Sequence, residues 1–417
     1  MRMISFWRIF SLEAKALVRS KTLLMLAAAS VGWLFVLPRF LKGDGTLDGA
    51  RELYVRYGLG GAFLLIALAL LSSVTASLAK ERAAKRLQLT MVRPVSAFAI
   101  VLAKTLAHAF SGAAILALVA LVLCAKADCR RPSNHVLEPI LPSPRVEAEA
   151  MYARFMADER TPEEVKKAPK SLILRILAAR AYDRYEAITT NAVARWKFPI
   201  SDFRASAPPS VRLRFTTQIG ASDDVKGSLA LGDFGATVGN VTKSVIVVPL
   251  AGAGNLGETL EFTNCGEKSL MFRPRRDVQL LMPAEPFAVN FVFAYLELVA
   301  ILFALLAFGT MLSAALSRPV ALFSAIAVLV VGEMGPSVVE QYPDEFHASK
   351  IDRAGLAIAR ATTALTRPVA GLKPVAALAA DERVETDEVV RALVVDGVVL
   401  PLVFALLAAF ALPRKEE

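Results

Sequence analysis

The sequence predicts an α-helical polytopic membrane protein with six transmembrane helices, carrying an extracytoplasmic α+β insert that contains a β-sandwich-like module. Three observations predict this. Of the 417 residues, 55% are hydrophobic and mean hydropathy is +0.50, too apolar for an ordinary soluble chain of this length. Apolar runs occupy about residues 22–38, 57–79, 97–125, 287–316, 320–333 and 392–412. All but the fifth reach the roughly 20 residues needed to cross a hydrocarbon core about 30 Å thick. The third observation is a stretch after Pro199 of short, alternating segments punctuated by Gly, Asn and Pro, the pattern of a β-sandwich.

Residues 1–21 form a cytoplasmic amphipathic helix, with Trp7, Phe10, Ala14 and Leu17 at helical spacing and Arg8, Lys15 and Arg19 elsewhere around it, suited to lying along a membrane surface. The first span, in the block 22–125 that holds the first three, is not a cleaved signal peptide. Its polar leader is long, and Trp33, Leu37, Pro38 and Arg39 offer no small-x-small cleavage site. A charged connector at about 80–95 joins the second and third spans. The insert covers 126–286, with a helix-like part at 145–195 and the β-module at 208–283. The fourth and fifth spans occupy 287–334, the fifth short and ending near Gly332, Glu333, Gly335 and Pro336. An extracytoplasmic segment at 335–390 places Ile351, Ile358 and Leu365 on one face of a helix, and 391–417 hold the last span and the tail.

Orientation is set by basic residues near the membrane. The leader holds Arg2, Arg8, Lys15, Arg19 and Lys21; the connector Lys80, Arg82, Lys85, Arg86 and Arg93; the tail Arg414 and Lys415. With six spans these lie on one side, which places both termini in the cytoplasm and 126–286 and 335–390 outside. The net charge of +10 is then a matter of topology and of a basic insert. No aromatic residues interleave with it as on a nucleic-acid surface, so no nucleic-acid partner is expected.

Candidate chemistry is sparse. Three cysteines do not make a disulfide scaffold; Cys129 and Cys265, near the start and end of the insert, are the pair that an oxidising compartment would allow to join. His108, His135 and His347 are far apart and no cysteine has zinc-site spacing, so no metal site is expected. No catalytic residues stand out. The stretch GAGNLGET, 252–259, contains G-x-G-x-x-G and comes one residue from a phosphate loop, but Glu258 stands where the lysine belongs and would repel phosphate. The residues after it, TLEFTNCG, alternate like a strand, so a turn between strands is expected and no cofactor is assigned to the chain.

The stretch LAKERAAKRLQLTMVRPVSAFAIVLAKTLA, residues 78–107, is the most informative. Glu81, Arg82, Leu87, Leu89, Pro94, Val95, Ser96, Leu102 and Lys104 stand in an order and spacing that resembles the signature of membrane subunits of type-2 ATP-binding-cassette (ABC) transporters. Lys85-Arg86 stands where that family usually has Gly-Thr, and Ala103 replaces a glycine. The surface helix before the first span, the six spans and SRPVALF at 317–323 are similar to the family as well. The resemblance implies an ABC transporter permease subunit, in direction an exporter, in a bacterial inner (plasma) membrane. It would be a homo- or heterodimer driven by a separate ATPase subunit that binds the ATP and docks on the connector as a coupling helix. Glu81, Arg82, Leu87, Leu89, Pro94 and Lys104 are the residues to which the resemblance assigns coupling, and the chain itself is expected not to be an enzyme.

Two other readings stand beside this one. A membrane-anchored scaffold or mechanotransmitting protein would act through its β-module and a periplasmic partner. An ion-coupled carrier would be marked by intramembrane ionisable residues, for which Glu297, Glu333, Asp396, Lys104 and His108 are candidates, and by inverted repeats, which the sequence lacks.

Overall fold

The computed structural model describes residues 2–41, 47–83, 95–126, 132–158, 166–182, 184–200, 208–214, 216–217, 225–241, 245–327, 355, 357 and 373–414. The chain divides into two compact units, Met1–Arg131 with Pro286–Glu417, and Pro132–Glu285.

The first unit is helical. Helix α1 (Arg2–Arg19) turns into α2 (Lys21–Val36) at Ser20, whose Oγ donates to Leu17 O at 2.7 Å and accepts from Leu23 N at 3.3 Å. That hydroxyl ends one helix and caps the next. Helices α3 (Leu47–Ala83) and α4 (Ala97–Lys126) come next. Five helical stretches among the described residues are long and apolar enough to cross a membrane: Lys21–Arg39, Gly49–Glu81, Ala97–Lys126, Phe287–Ala315 and Thr386–Leu412. The chain is a multi-pass membrane protein. Where the sequence predicts a sixth, at about 320–333, the described part is a shorter apolar helix, Arg318–Ala327, and 328–333 lie outside the described residues. So do residues 350–354 and most of the amphipathic helix expected beyond them.

Large side chains of α3, α4 and Phe287–Ala315 fill the core, among them Phe63, Ile66, Leu70, Leu71, Leu116, Phe291 and Leu302. Two small residues set how closely these helices approach. A Cβ on Gly112 would stand 2.6 Å from both Leu302 Cδ2 and Leu70 Cδ1, and one on Gly309 would collide with Leu71. Small residues at such crossings give membrane helices their packing contacts in the absence of a hydrophobic drive. Hydroxyls add to this: Thr105 Oγ1 and Thr310 Oγ1 are 3.0 Å apart, and Ser313 Oγ donates to Thr75 O at 2.9 Å.

The second unit is rich in strands. Its elements are β1 (Pro132–Leu137), helices α5 (Pro144–Ala157) and α6 (Lys170–Tyr182), β2 (Glu186–Ile188), β3 (Val193–Lys197), β4 (Ser210–Arg214), β5 (Thr216–Thr217), β6 (Val225–Leu231), β7 (Phe234–Val241), β8 (Val245–Pro249), β9 (Ala251–Gly252), β10 (Thr259–Asn264), β11 (Leu270–Phe272), the single turn α7 (Pro274–Asp277) and β12 (Val278–Pro286). Among the described residues, three sheets run β1-β12-β4-β8, β3-β10-β6-β7-β9 and β2-β11-β5. Alternate residues of these strands meet in one core, centred on Trp196, Phe262 and Phe272, whose rings pack edge to face at 5.8 and 5.6 Å. Helices α5 and α6 have a small apolar cluster of their own.

The helix-like stretch expected over 145–195 needs correction. It ends at Tyr182, and β2 and β3 succeed it. Helical propensity in RAYDRYEAI loses to pairing: Ile188 is opposite Leu270, Trp196 is opposite Leu260, and both side chains are buried. Asn191, at φ 61°, makes the turn between them.

After β9, residues 253–257 form a loop packed on the β6–β7 hairpin. That hairpin turns on Gly232 and Asp233, with Gly232 at φ +59°. Asn255 N donates to Asp233 Oδ2 at 2.9 Å, and a Cβ on Gly232 would strike Gly257 and the Asn255 carbonyl. The glycines allow two turns to touch. Strand β10, not a helix, comes after them.

In the first unit, the Phe287–Ala315 helix is α8, Arg318–Ala327 is α9, and α10 (Lys373–Ala379), α11 (Thr386–Val394) and α12 (Leu400–Arg414) complete the chain. A π-turn at Val395–Val399 joins α11 to α12, so the last span begins at Thr386 rather than near 392. Asn290, fully buried, holds the chain entering α11: its Nδ2 donates to Glu382 O and its Oδ1 accepts from Val384 N, both at 2.7 Å.

Candidate functional site

Among the described residues of the first unit, a polar cluster surrounds Lys104. Leucine, isoleucine and alanine fill most of α4, yet Lys104 sits two turns into it with its side chain only 4% exposed. Its Nζ donates to Glu13 Oε2 at 2.9 Å, Ser77 Oγ at 3.0 Å and Glu81 Oε1 at 2.8 Å. An ammonium has three N–H groups, and all three are used. Ser77 Oγ in turn donates to Glu13 Oε1 at 2.6 Å, so lysine, serine and carboxylate close a ring.

The spacing that builds this cluster is helical. Ser73, Ser77 and Glu81 stand four residues apart along α3, and Lys104 and His108 stand four apart along α4; each set lines one face. His108 is fully buried. Its Nδ1 is 2.9 Å from Lys104 O, and its Nε2 is 3.2 Å from Ser73 Oγ. From the third side comes Glu13 on α1. Ile9 packs against the apolar cluster of Leu78, Ile100, Val101 and Ala405 beside the ring, and Phe10 meets Phe110 at 5.8 Å, so α1 is pressed onto the bundle by the face that carries Glu13. Trp7, on the apolar stripe, is 58% exposed, as a side chain that faces lipid rather than the bundle would be.

Burial disfavours the ionised Glu13 carboxyl, but the Lys104 charge and the hydrogen bonds from Ser77 and Lys104 outweigh it and hold the group below its ordinary value. Charge-assisted bonds of this kind are short and about twice as strong as neutral ones. The arrangement locks three helices in one register at the end of α3 from which the connector leaves.

Of the residues the sequence assigns to coupling, the structure brings Glu81 and Lys104 together. The partner of Glu81 is Lys104 on the next span. Arg82 lies in the last turn of α3, and Leu87, Leu89 and Pro94 lie outside the described residues. So do Glu333 and His347, and Cys129 with them; Cys265 is exposed on the second unit. Glu297 and Asp396 lie on α8 and the π-turn, away from Lys104 in the chain. His135 belongs to β1. Among the described residues no group of three or more His, Cys, Asp or Glu is placed to hold a metal ion.

Sequence reading missed Glu13, Ser73 and Ser77. A signal existed for Glu13, the one acidic residue among residues 1–21: helical spacing puts it beside Phe10, Ala14 and Leu17 rather than on the basic face. Comparison of the chain with protein-family models, with curated proteins and with solved structures gave no match.

Proposed function

We propose that this chain is the membrane-spanning subunit of an ATP-driven transporter of the type-2 ABC kind, working as a dimer with separate ATPase subunits that dock on residues 80–95. The observation that carries the reading is the Lys104 hub, which ties α1, α3 and α4 together at the root of that connector. An ATPase that tilts the connector on closing around ATP acts first on Glu81. Through Lys104 the displacement reaches α4 and, through Glu13, the surface helix, so that three helices move as one body. Helices α2 and α12 offer apolar faces, with Phe35, Leu406, Leu407 and Phe410 exposed, for lipid or for a second copy. The ordered sequence match from Glu81 to Lys104 supplies the transporter class.

The test is partnership. Gentle solubilisation from the native membrane, with mass spectrometry of co-purifying chains, is expected to recover a phosphate-loop ATPase. Glu81→Lys, which sets two ammonium groups against each other, is expected to lose it. If no ATPase accompanies the wild-type chain in several mild detergents, the reading fails.

A second reading has its own support. The insert has a separate aromatic core, and β1 and β12, its first and last strands, lie side by side in one sheet, with Ser133 Oγ donating to Glu285 O at 2.9 Å. A module with both chain ends held together suits a scaffold that receives force from the membrane helices. Recovery of the ATPase together with a soluble outer partner, and no cargo flux in vesicles, would favour it.

A further inference from the structure

The last span is irregular where it carries an acid. Pro401 has no N–H to offer the Gly397 carbonyl, and its ring crowds that carbonyl, so the helix widens ahead of it into the π-turn Val395–Val399. Such turns occur often at functional sites. This one rests on α8: a Cβ on Gly397 would come 3.6 Å from Ala300 Cβ, one turn along α8 from Glu297. The two helices keep this register, because Asn290 near the start of α8 bonds to residues 382 and 384 just before α11. Glu297 and Asp396 therefore lie at the same level, each about ten residues into its span, or about 15 Å at 1.5 Å per residue.

Both carboxyls are incompletely partnered. Asp396 is 7% exposed, and among the described residues neither its buried Oδ1 nor the buried Oε2 of Glu297 has a hydrogen-bond partner. Among the described residues, the charged groups around Glu297 are Glu388, Asp396, Lys373 and Arg391, two acids and two bases. A carboxylate oxygen buried without a donor is costly, and an ionisable residue inside a membrane marks a pathway or a bound ion by default. A protonated carboxyl meets the cost with one small, mobile ligand.

We propose that Glu297 and Asp396, at one level where α8 and the π-turn pack together, form an intramembrane proton-binding site that holds at least one exchangeable proton. The site owes nothing to the ATPase reading. It gives the chain a group whose charge can change as the last span moves against α8.

Dicyclohexylcarbodiimide tests this on the full chain in native membrane vesicles. The reagent adds to a protonated carboxyl in apolar surroundings: the carboxyl oxygen bonds to the carbodiimide carbon, the proton passes to nitrogen, and the acyl group migrates to give a stable N-acylurea, with nothing leaving. Peptide mass spectrometry is expected to find the adduct on Glu297 or Asp396 and not on the exposed Glu149 or Glu258. Alkalinising the vesicles is expected to diminish it, and Glu297→Gln with Asp396→Asn to reduce total labelling at least tenfold. If that double variant fails to accumulate, the wild-type peptides still decide. Unmodified peptides covering both positions would overturn the proposal, as would protection by sodium ions at constant pH and ionic strength, which would make this a metal-cation site.

Discussion

Replacing Lys104 by methionine removes the charge at the hub and keeps most of the stem. The effect can be sized from its surroundings. Lys104 is 4% exposed, Glu13 17% and Glu81 33%. Removing one partner of a buried pair costs about 3–5 kcal/mol, because the other is left charged and unpaired. The partial exposure of Glu81 lets water take over part of its share, so the lower end, about 3 kcal/mol, applies. Glu13 retains only its bond from Ser77, and no buried side chain of α1 belongs to the main helical core. The loss should therefore appear as detachment of α1 rather than as global unfolding. At 1.36 kcal/mol per factor of ten, about 3 kcal/mol corresponds to roughly a hundredfold rise in hydrogen exchange of amides in residues 9–19, with the centre of α8 unchanged. Glu13→Gln alone should give a smaller rise, and in the double variant the two effects should fall short of their sum by more than about 1 kcal/mol. Unchanged exchange in α1 of Lys104→Met, or strict additivity, would refute the account of the hub.

Three further outcomes are expected. Because Glu13 is held below its ordinary value of 4.5, it binds protons more readily unfolded than folded. Its contribution is therefore fully present above that value and fades as pH falls through the lower folded one; acid should release α1 in the wild type, and Glu13→Gln should flatten this response in exchange or proteolysis profiles. Asn290→Ala leaves Val384 N–H and Glu382 O without their buried partner, at about 1–3 kcal/mol for an unsatisfied group, and should speed exchange at the Val384 amide about tenfold or more; an unaltered amide would show that α11 is held by other contacts. Accessibility of tags on the two termini counts the crossings: if the region of α9 crosses as well as the five described spans, as the proposed permease requires, the tags should lie on one side of the membrane, whereas opposite sides would mean that it does not cross.

Composition and patterning along the chain suffice to identify a multi-pass membrane protein interrupted by a β-rich region. Both properties are written in local composition: a span needs a long apolar run whatever surrounds it, and strands with turns between them announce themselves by alternation and by Gly, Asn and Pro. The features beyond the reach of local composition depended on which residues meet. The strands β2 and β3 look helical until β11 and β10 pair with them, because pairing energy lies in the partner. The span that starts at Thr386 is longer than its apolar run, since Asp387, Glu388 and Arg391 depress hydropathy without breaking a helix. Lys104 stood out in the sequence, but only the packing of α1 against α3 and α4 revealed that its two counter-charges come from positions 91 and 23 residues away. Periodicity tells which face of a helix a charge occupies; only tertiary structure decides what that face meets, because an ion pair is fixed by distance in space and not along the chain.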